Sequence, residues 1–159
     1  MRSEELFKSI AIFIERSALE VFLFETLLII LIFPDALLLT EIIVGSAVTF
    51  IVTEAIKLLV GQKRPKNATG RRYYNKTFKI ERRSFPSAHS SLAMFFAGLM
   101  IGNFLFIPLF ALGVFIAYTR IYLKDHYLRD VIAGGLLGLV FGYITPLAFT
   151  VIRHVFFIK

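Results

Sequence analysis

The chain has 159 residues, 57% of them hydrophobic, with 18 Phe, no Trp, no Cys and a formal net charge of +7. A soluble domain carries roughly 45–50% apolar residues. A mean hydropathy of +0.75, concentrated in runs close to the ~20 residues a spanning helix needs, excludes an ordinary soluble globule, and the lack of cysteine excludes disulfide and thiolate chemistry. The positive charge sits in loops flanking the apolar runs, which points to membrane lipids, anionic headgroups or phosphate substrates as partners and away from nucleic acid.

The first five residues lack the basic region and apolar run of a secretory signal. From Ser3 to Ile14, Leu6, Phe7, Ile10 and Phe13/Ile14 recur at helical spacing, too short to span and suited to an amphipathic interfacial helix. Ser17 to Phe33 reads as a short span, weakened by Glu20 and Glu25, and Pro34-Asp35 as a turn that starts the next helix. Ala36 to Val60 is a clear span interrupted by Glu41 and Glu54, and Glu54 is placed to pair with Lys57 three residues on or with another motif cation.

Gly61 to Phe85 is the long polar stretch, where Lys63, Lys66, Arg71, Arg72, Lys76, Lys79, Arg82 and Arg83 read as interfacial anchors. Tyr73, Tyr74 and Phe78 within it are either a lid or ordinary interfacial aromatics. Pro86 is expected to restart a helix that runs through Ile107, with Pro108 breaking it and beginning one that reaches about Leu123. Lys124 to Arg129 is a short polar connection before a last span, Asp130 to Ile152. That span carries Gly134, Gly138 and Gly142 at four-residue intervals for close helix packing, and Pro146 as a kink position. The expected architecture is all-α: a polytopic membrane helix bundle of about five spans behind an interfacial helix, in one domain over residues 1–159 with a catalytic core at about 50–140.

In that topology Lys57 and Arg64, then Ser87 and His89, then Arg120, His126 and Asp130 all reach the same membrane face. The arginines suit bidentate binding of an oxyanion and the lysine acts as a point charge. The helix start after Pro86 offers backbone N–H groups near Ser87 to His89 where charge would build on a phosphoryl group. His126 and Asp130 lie four apart, so on a helix Asp130 would accept from one ring nitrogen and bare the other as a nucleophile. His89 is then a candidate general acid.

Lys57-x6-Arg64-Pro65, Pro86-Ser87-Ala88-His89 and Arg120-x5-His126-x3-Asp130 resemble, in order, the three signature motifs of the type 2 phosphatidic acid phosphatase superfamily. That family includes membrane lipid phosphatases and, more distantly, soluble vanadium haloperoxidases. The resemblance implies that Lys57, Arg64 and Arg120 bind phosphate oxygens and that Ser87 hydrogen-bonds to phosphate. It further implies that His126 attacks phosphorus, His89 protonates the leaving group and Asp130 orients His126. Ala88 stands where the family usually has Gly, implying a slightly narrower phosphate pocket, and Thr119 where Ser is common keeps the hydroxyl. The family needs no metal, so no cofactor is expected; the sequence has neither a zinc-type Cys/His cluster nor a motif for phosphate-bound magnesium.

The expected function is a metal-independent membrane lipid phosphatase working through a phosphohistidine. Its substrate would be a polyprenyl pyrophosphate, phosphatidate or phosphatidylglycerol phosphate. Transfer of the phosphoryl group to an alcohol at the same site is the alternative, and a non-catalytic anion- or lipid-binding module a third reading. The positive-inside rule would put the motif face in the cytoplasm, whereas the resemblance implies the outer face of the cell membrane, which is the orientation expected here.

Overall fold

A computed structural model describes residues 2–65 and 83–156. The cations Lys66, Arg71, Arg72, Lys76, Lys79 and Arg82 and the aromatics Tyr73, Tyr74 and Phe78 lie outside the described residues. Those residues form six α-helices: α1 Arg2–Arg16, α2 Ala18–Ile32, α3 Ala36–Val60, α4 Ala88–Leu99, α5 Phe106–Tyr122 and α6 Leu128–Phe156. Among them the extended pairing is one isolated antiparallel bridge, Lys63 to Arg83.

The periodicity of the N-terminal segment produces α1 as expected. Its Phe7 packs edge-on against Phe115 and Tyr122 of α5, while Ala11, Ile14 and Glu15 on the same side are buried. Asp35 starts α3 by accepting from the Leu37 amide at 2.8 Å, satisfying one of the helix's orphan donors. Gly61 ends it in the left-handed region, φ 64°, a conformation glycine adopts without the Cβ clash that disfavours other residues there.

The centre of the bundle is α4, where Ser90, Ser91 and every residue from Ala93 to Leu99 are buried. It packs most extensively against α6, then α5, and the glycine stripe is the reason. A Cβ at Gly134, Gly138 or Gly142 would lie 2.4, 2.0 or 2.1 Å from the carbonyl oxygens of Ser87, Ser91 and Phe95. Gly98 answers from α4, where a Cβ would meet the Leu139 oxygen at 2.3 Å. The two backbones therefore touch, which in lipid is where helix association gets its packing energy. Phe95, Phe96, Met94, Ile29, Ile42 and Leu109 form the main apolar core around this pair, and Thr53 Oγ1 bonds Ser91 Oγ at 3.0 Å to tie α3 in.

One helix boundary departs from the expectation. The helix expected to run to Ile107 stops at Leu99, and Pro108 lies inside the first turn of α5. Proline is tolerated there because that turn's N–H groups have no helical partner. The break falls instead where Gly102 takes φ 87° and Asn103 Oδ1 accepts from the Leu105 amide at 3.0 Å. Pro146, by contrast, sits within a helix that continues through it.

Two helices, α3 and α6, are long and apolar enough to cross a bilayer; α2, α4 and α5 have 15, 12 and 17 residues. The outer surface is apolar, with Leu31, Leu59, Ile107 and Val155 among the large side chains left exposed. Of the acidic residues in the apolar helices, Glu20 is exposed and Glu41 and Glu25 are buried. Glu25 Oε1 is buried without a hydrogen-bond partner.

Candidate active site

The site forms where α3 ends, α4 begins, α5 ends and α6 begins. Lys57 is in the last turn of α3, 6% exposed, and its ammonium pairs with Glu54, as the spacing predicts. Past Gly61 the chain extends and meets residues 83–84. The Ser84 amide donates to the Gln62 carbonyl at 2.8 Å. Arg83 Nη1 donates to the carbonyls of Lys57 and Leu58, so this expected interfacial anchor instead caps the last carbonyls and negative dipole end of α3. Arg64 follows the pairing, with its Nε buried and without a hydrogen-bond partner.

Ser87 caps α4. Its Oγ accepts from the Ser90 hydroxyl at 3.0 Å and from the Ser90 amide at 3.4 Å. An accepting hydroxyl still has its own proton to give, so the capping role leaves Ser87 a donor for an anion. The Ser87 amide, expected to be free for an anion, donates to the Asp130 carbonyl at 2.9 Å; it is spent on joining α4 to α6. His89 lies one turn in, and its Nε2 is buried without a hydrogen-bond partner. Arg120, Lys57 and Arg64 lie close enough to His89 for their charges to act on it, and His126 lies near it too. Ala88, half-buried, stands between these two side chains in sequence at the helix start.

Arg120, in the last turn of α5, is almost fully buried, 1% exposed. Its Nε donates to Thr119 Oγ1 and its Nη2 to the Ala11 carbonyl of α1, each at 3.3 Å. The connection to α6 turns through Lys124 at φ 57°, a conformation that costs a non-glycine residue about 1–2 kcal/mol. The turn brings the Asp125 amide to the Arg120 carbonyl at 3.0 Å.

His126 precedes α6 and is not on its helical face, so the expected relation to Asp130 is corrected. Asp130, wholly buried, is the third residue of α6 and reaches back to accept from the Tyr127 amide through Oδ2 at 3.0 Å, as in a capping box. Its Oδ1 accepts from Gln62 Nε2 at 3.0 Å. His126 Nδ1 lies 3.6 Å from Asp130 Oδ2, beyond hydrogen-bond reach, and 2.8 Å from the Ser84 carbonyl. A carbonyl can only accept, so Nδ1 carries the proton and Nε2 is left with its lone pair. The Asp130 carboxylate supplies charge at short range without the bond. Burial pushes the His126 imidazole below its ordinary value; the nearby Asp130 opposes this, and Arg64 and Lys57 add to it. The ring is therefore held neutral, the form in which nitrogen is nucleophilic.

Two positions the motif reading passed over complete this framework. Gln62 Nε2 donates to both Asp130 Oδ1 and Ser84 Oγ, at 3.0 and 2.9 Å, and the Ser84 backbone sets the His126 tautomer. Gln62 is an unspecified position of the first motif, and Ser84 acts through a main-chain atom that no side-chain pattern reveals. Gln62→Ala removes the donor to a buried carboxylate, a loss of about 1–3 kcal/mol. It is expected to lower kcat about tenfold with KM nearly unchanged, since it reaches the substrate only through His126. Steady-state kinetics check this, and a change confined to KM would contradict it.

The structure thus brings Lys57, Arg64, Ser87, His89, Arg120, His126 and Asp130 to one end of the bundle. No curated protein and no solved structure matches the chain. A family model described as the PAP2 superfamily matches residues 38–153, a segment that contains all three motifs and every one of those seven residues. The chain belongs to the PAP2 superfamily, the type 2 phosphatidic acid phosphatases, whose members are generally phosphatases.

Proposed function

We propose that the protein is an integral-membrane lipid phosphatase that works through a phosphohistidine on His126 and without a metal. The observation that carries this reading is a pair of buried nitrogens without hydrogen-bond partners, Arg64 Nε and His89 Nε2, among further cations and a second histidine. A buried unsatisfied polar group costs about 1–3 kcal/mol, and a tetrahedral oxyanion is a ligand that satisfies both. Two histidines exceed what anion binding alone requires.

Lys57, Arg64, Arg120 and the Ser87 hydroxyl hold the phosphoryl oxygens. His126 Nε2 attacks phosphorus as the bond to the leaving oxygen breaks, and His89 gives that oxygen a proton. The positive charge that develops on the phosphorylated ring is met by Asp130 and by the Ser84 carbonyl at Nδ1. In the second half His89 takes a proton from water, the water oxygen bonds to phosphorus and the P–N bond breaks, releasing inorganic phosphate and neutral His126.

The lipid tail stays in the bilayer. Five crossings, α2 to α6, fit the apolar outer surface, and the short α4 needs no match to hydrocarbon thickness because its neighbours cover it. A polyprenyl pyrophosphate is the first substrate choice, followed by phosphatidate and phosphatidylglycerol phosphate. Purified full-length protein in detergent is expected to release phosphate from at least one of them in EDTA and to give an acid-labile phosphoenzyme. Strict metal dependence, or turnover with no labelled enzyme, would overturn the reading. The site is assigned to the outer membrane face. Because the chain has no cysteine, Lys63→Cys at an exposed position gives a single label: an impermeant maleimide is expected to react with it in intact cells, and protection until lysis would reverse the orientation.

A further inference from the structure

The ends of α3 and α4 remote from the catalytic residues border a cavity of about 510 Å³. It forms where α2 ends, α3 begins and α4 ends, and its walls include Phe33, Leu38, Leu99 and Met100. Asp35 starts α3 and Lys57 lies in its last turn, so at 1.5 Å per residue the cavity is about 33 Å from the phosphate-binding cations. Its size suits a small organic group better than a bare ion.

Two carboxylates line it, Asp35 and Glu41. Asp35 spends Oδ1 on the Leu37 amide, which leaves Oδ2 for a ligand. Glu41 is 7% exposed and makes no hydrogen bond or ion pair among the described residues. The charge of Arg153 on α6 reaches Glu41 without forming an ion pair with it. A carboxylate shielded from water and lacking a donor is costly, and a cationic donor in the cavity removes that cost. The last helical residues of α2 and α4, Ile32 and Leu99, also line it. Their carbonyls have no N–H partner within the helix and carry the negative ends of two helix dipoles, which favour a cation.

Charge narrows the ligand. Ionised Asp35 and Glu41 beside one Arg153 leave one net negative charge, which a single ammonium group neutralises. A divalent cation would overshoot, and among the described residues no three His, Cys, Asp or Glu side chains are grouped to hold a metal. An ammonium has three N–H donors, enough for Glu41, Asp35 Oδ2 and one helix-end carbonyl. Exposed Ile32 lines the cavity, and exposed Phe104 lies beside Phe33, ring centroids 6.1 Å apart. These two side chains carry the cavity wall onto the apolar outer surface, where a hydrocarbon chain can lie.

We propose that this cavity binds the ammonium head of a membrane amphiphile, with Glu41 as its first partner, Asp35 as its second and the tail on the adjoining apolar surface. The inference does not rest on the phosphatase reading, because no residue of the catalytic end takes part.

The test uses full-length protein in a neutral detergent at pH 7. The probe is dodecylamine, cationic at that pH and without a phosphate to engage the catalytic end, and dodecanol is the neutral control of equal chain length. Affinity is read from thermal stabilisation, which follows the ratio of ligand concentration to Kd. Dodecylamine is expected to stabilise the wild type at concentrations where dodecanol does not. Glu41→Gln keeps the shape and removes the charge, and is expected to weaken dodecylamine about tenfold or more, the worth of a charged hydrogen bond. Asp35→Asn keeps the helix cap, since Asn serves there as well as Asp. It is expected to weaken binding about threefold, because Asp35 is exposed and its charge is screened. Ethanolamine, a head without the tail, is expected to bind about a hundredfold more weakly than dodecylamine. Equal dodecylamine affinity in wild type and Glu41→Gln overturns the inference; where Glu41→Gln fails to fold, unchanged affinity in Asp35→Asn does so. Ethanolamine as effective as dodecylamine, or calcium chloride stabilising where dodecylamine does not, overturns it as well.

Discussion

Phosphate release is expected to fall about ten-thousandfold in His126→Ala, with KM for the lipid changed little. The cations and the Ser87 hydroxyl proposed to hold the phosphoryl group remain in this variant, so binding should persist while the proposed nucleophilic step is lost. No second nucleophile is placed to replace it: His89 Nε2 belongs to the other histidine of the site, and the nitrogen freed on His126 owes its lone pair to the Ser84 carbonyl at Nδ1. His89→Ala separates the two roles. It is expected to cost about a hundredfold or more with a lipid alcohol as leaving group, within the usual worth of general acid catalysis. Much less should be lost with p-nitrophenyl phosphate, whose leaving group needs no proton. Steady-state release assays on both substrates check this pair, and His126→Ala retaining a tenth of wild-type activity would exclude the nucleophile assignment.

The second large effect is structural. Gly138→Ala would place a Cβ 2.0 Å from the Ser91 oxygen and 2.8 Å from its carbon. Those are backbone atoms of α4, which cannot turn aside as a flexible side chain could, so α4 and α6 must separate. Overpacking of this kind costs about 1–3 kcal/mol and sometimes more, and the upper end is expected here because the whole stripe shares one contact line. The same separation strains the Ser87 amide bond to the Asp130 carbonyl, so activity should fall along with the unfolding temperature. Gly135→Ala is the control: its Cβ would meet Met94 Cγ at 3.5 Å, an ordinary contact, and near wild-type stability and activity are expected. Thermal unfolding in detergent and phosphate release distinguish the two, and equal stability of both variants would show that α4 and α6 are not locked by close approach.

The legible part of the site was its side chains at motif spacing: Lys57, Arg64, Ser87, His89, Arg120, His126 and Asp130 could be named because chemistry-bearing residue types are conspicuous at the ends of apolar runs. The illegible part was how they are held. Asp130 and His126 lie four apart, which on a helix predicts a direct bond. The turn through Lys124 to Tyr127 keeps His126 off the helix, however, and Asp130 spends one oxygen on the Tyr127 amide and the other on Gln62. The partner that took over, the Ser84 carbonyl, is a main-chain atom, and every residue carries one. Glu15, 5% exposed, was hidden for a related reason: a charged residue near the end of an amphipathic helix reads as solvated until its neighbours bury it.

Boundaries followed the same division. Asp35 and Gly61 act through local backbone chemistry, so the limits of α3 could be read directly. The end of α4 at Leu99 was less conspicuous, because Gly102 and Asn103, whose turn carries the break, lie inside an otherwise apolar stretch and Pro108 is equally at home in a first helical turn. By itself the sequence determined an all-helical apolar chain, the family-specific motifs and the glycine stripe, all properties of residue type and spacing within short stretches of chain. Only the tertiary structure decided which helix is central, which main-chain groups orient His126 and that α1 joins the site. Those depend on contacts between residues far apart in the chain, whose pairing is set by how closely backbones can approach and by where buried polar groups find partners.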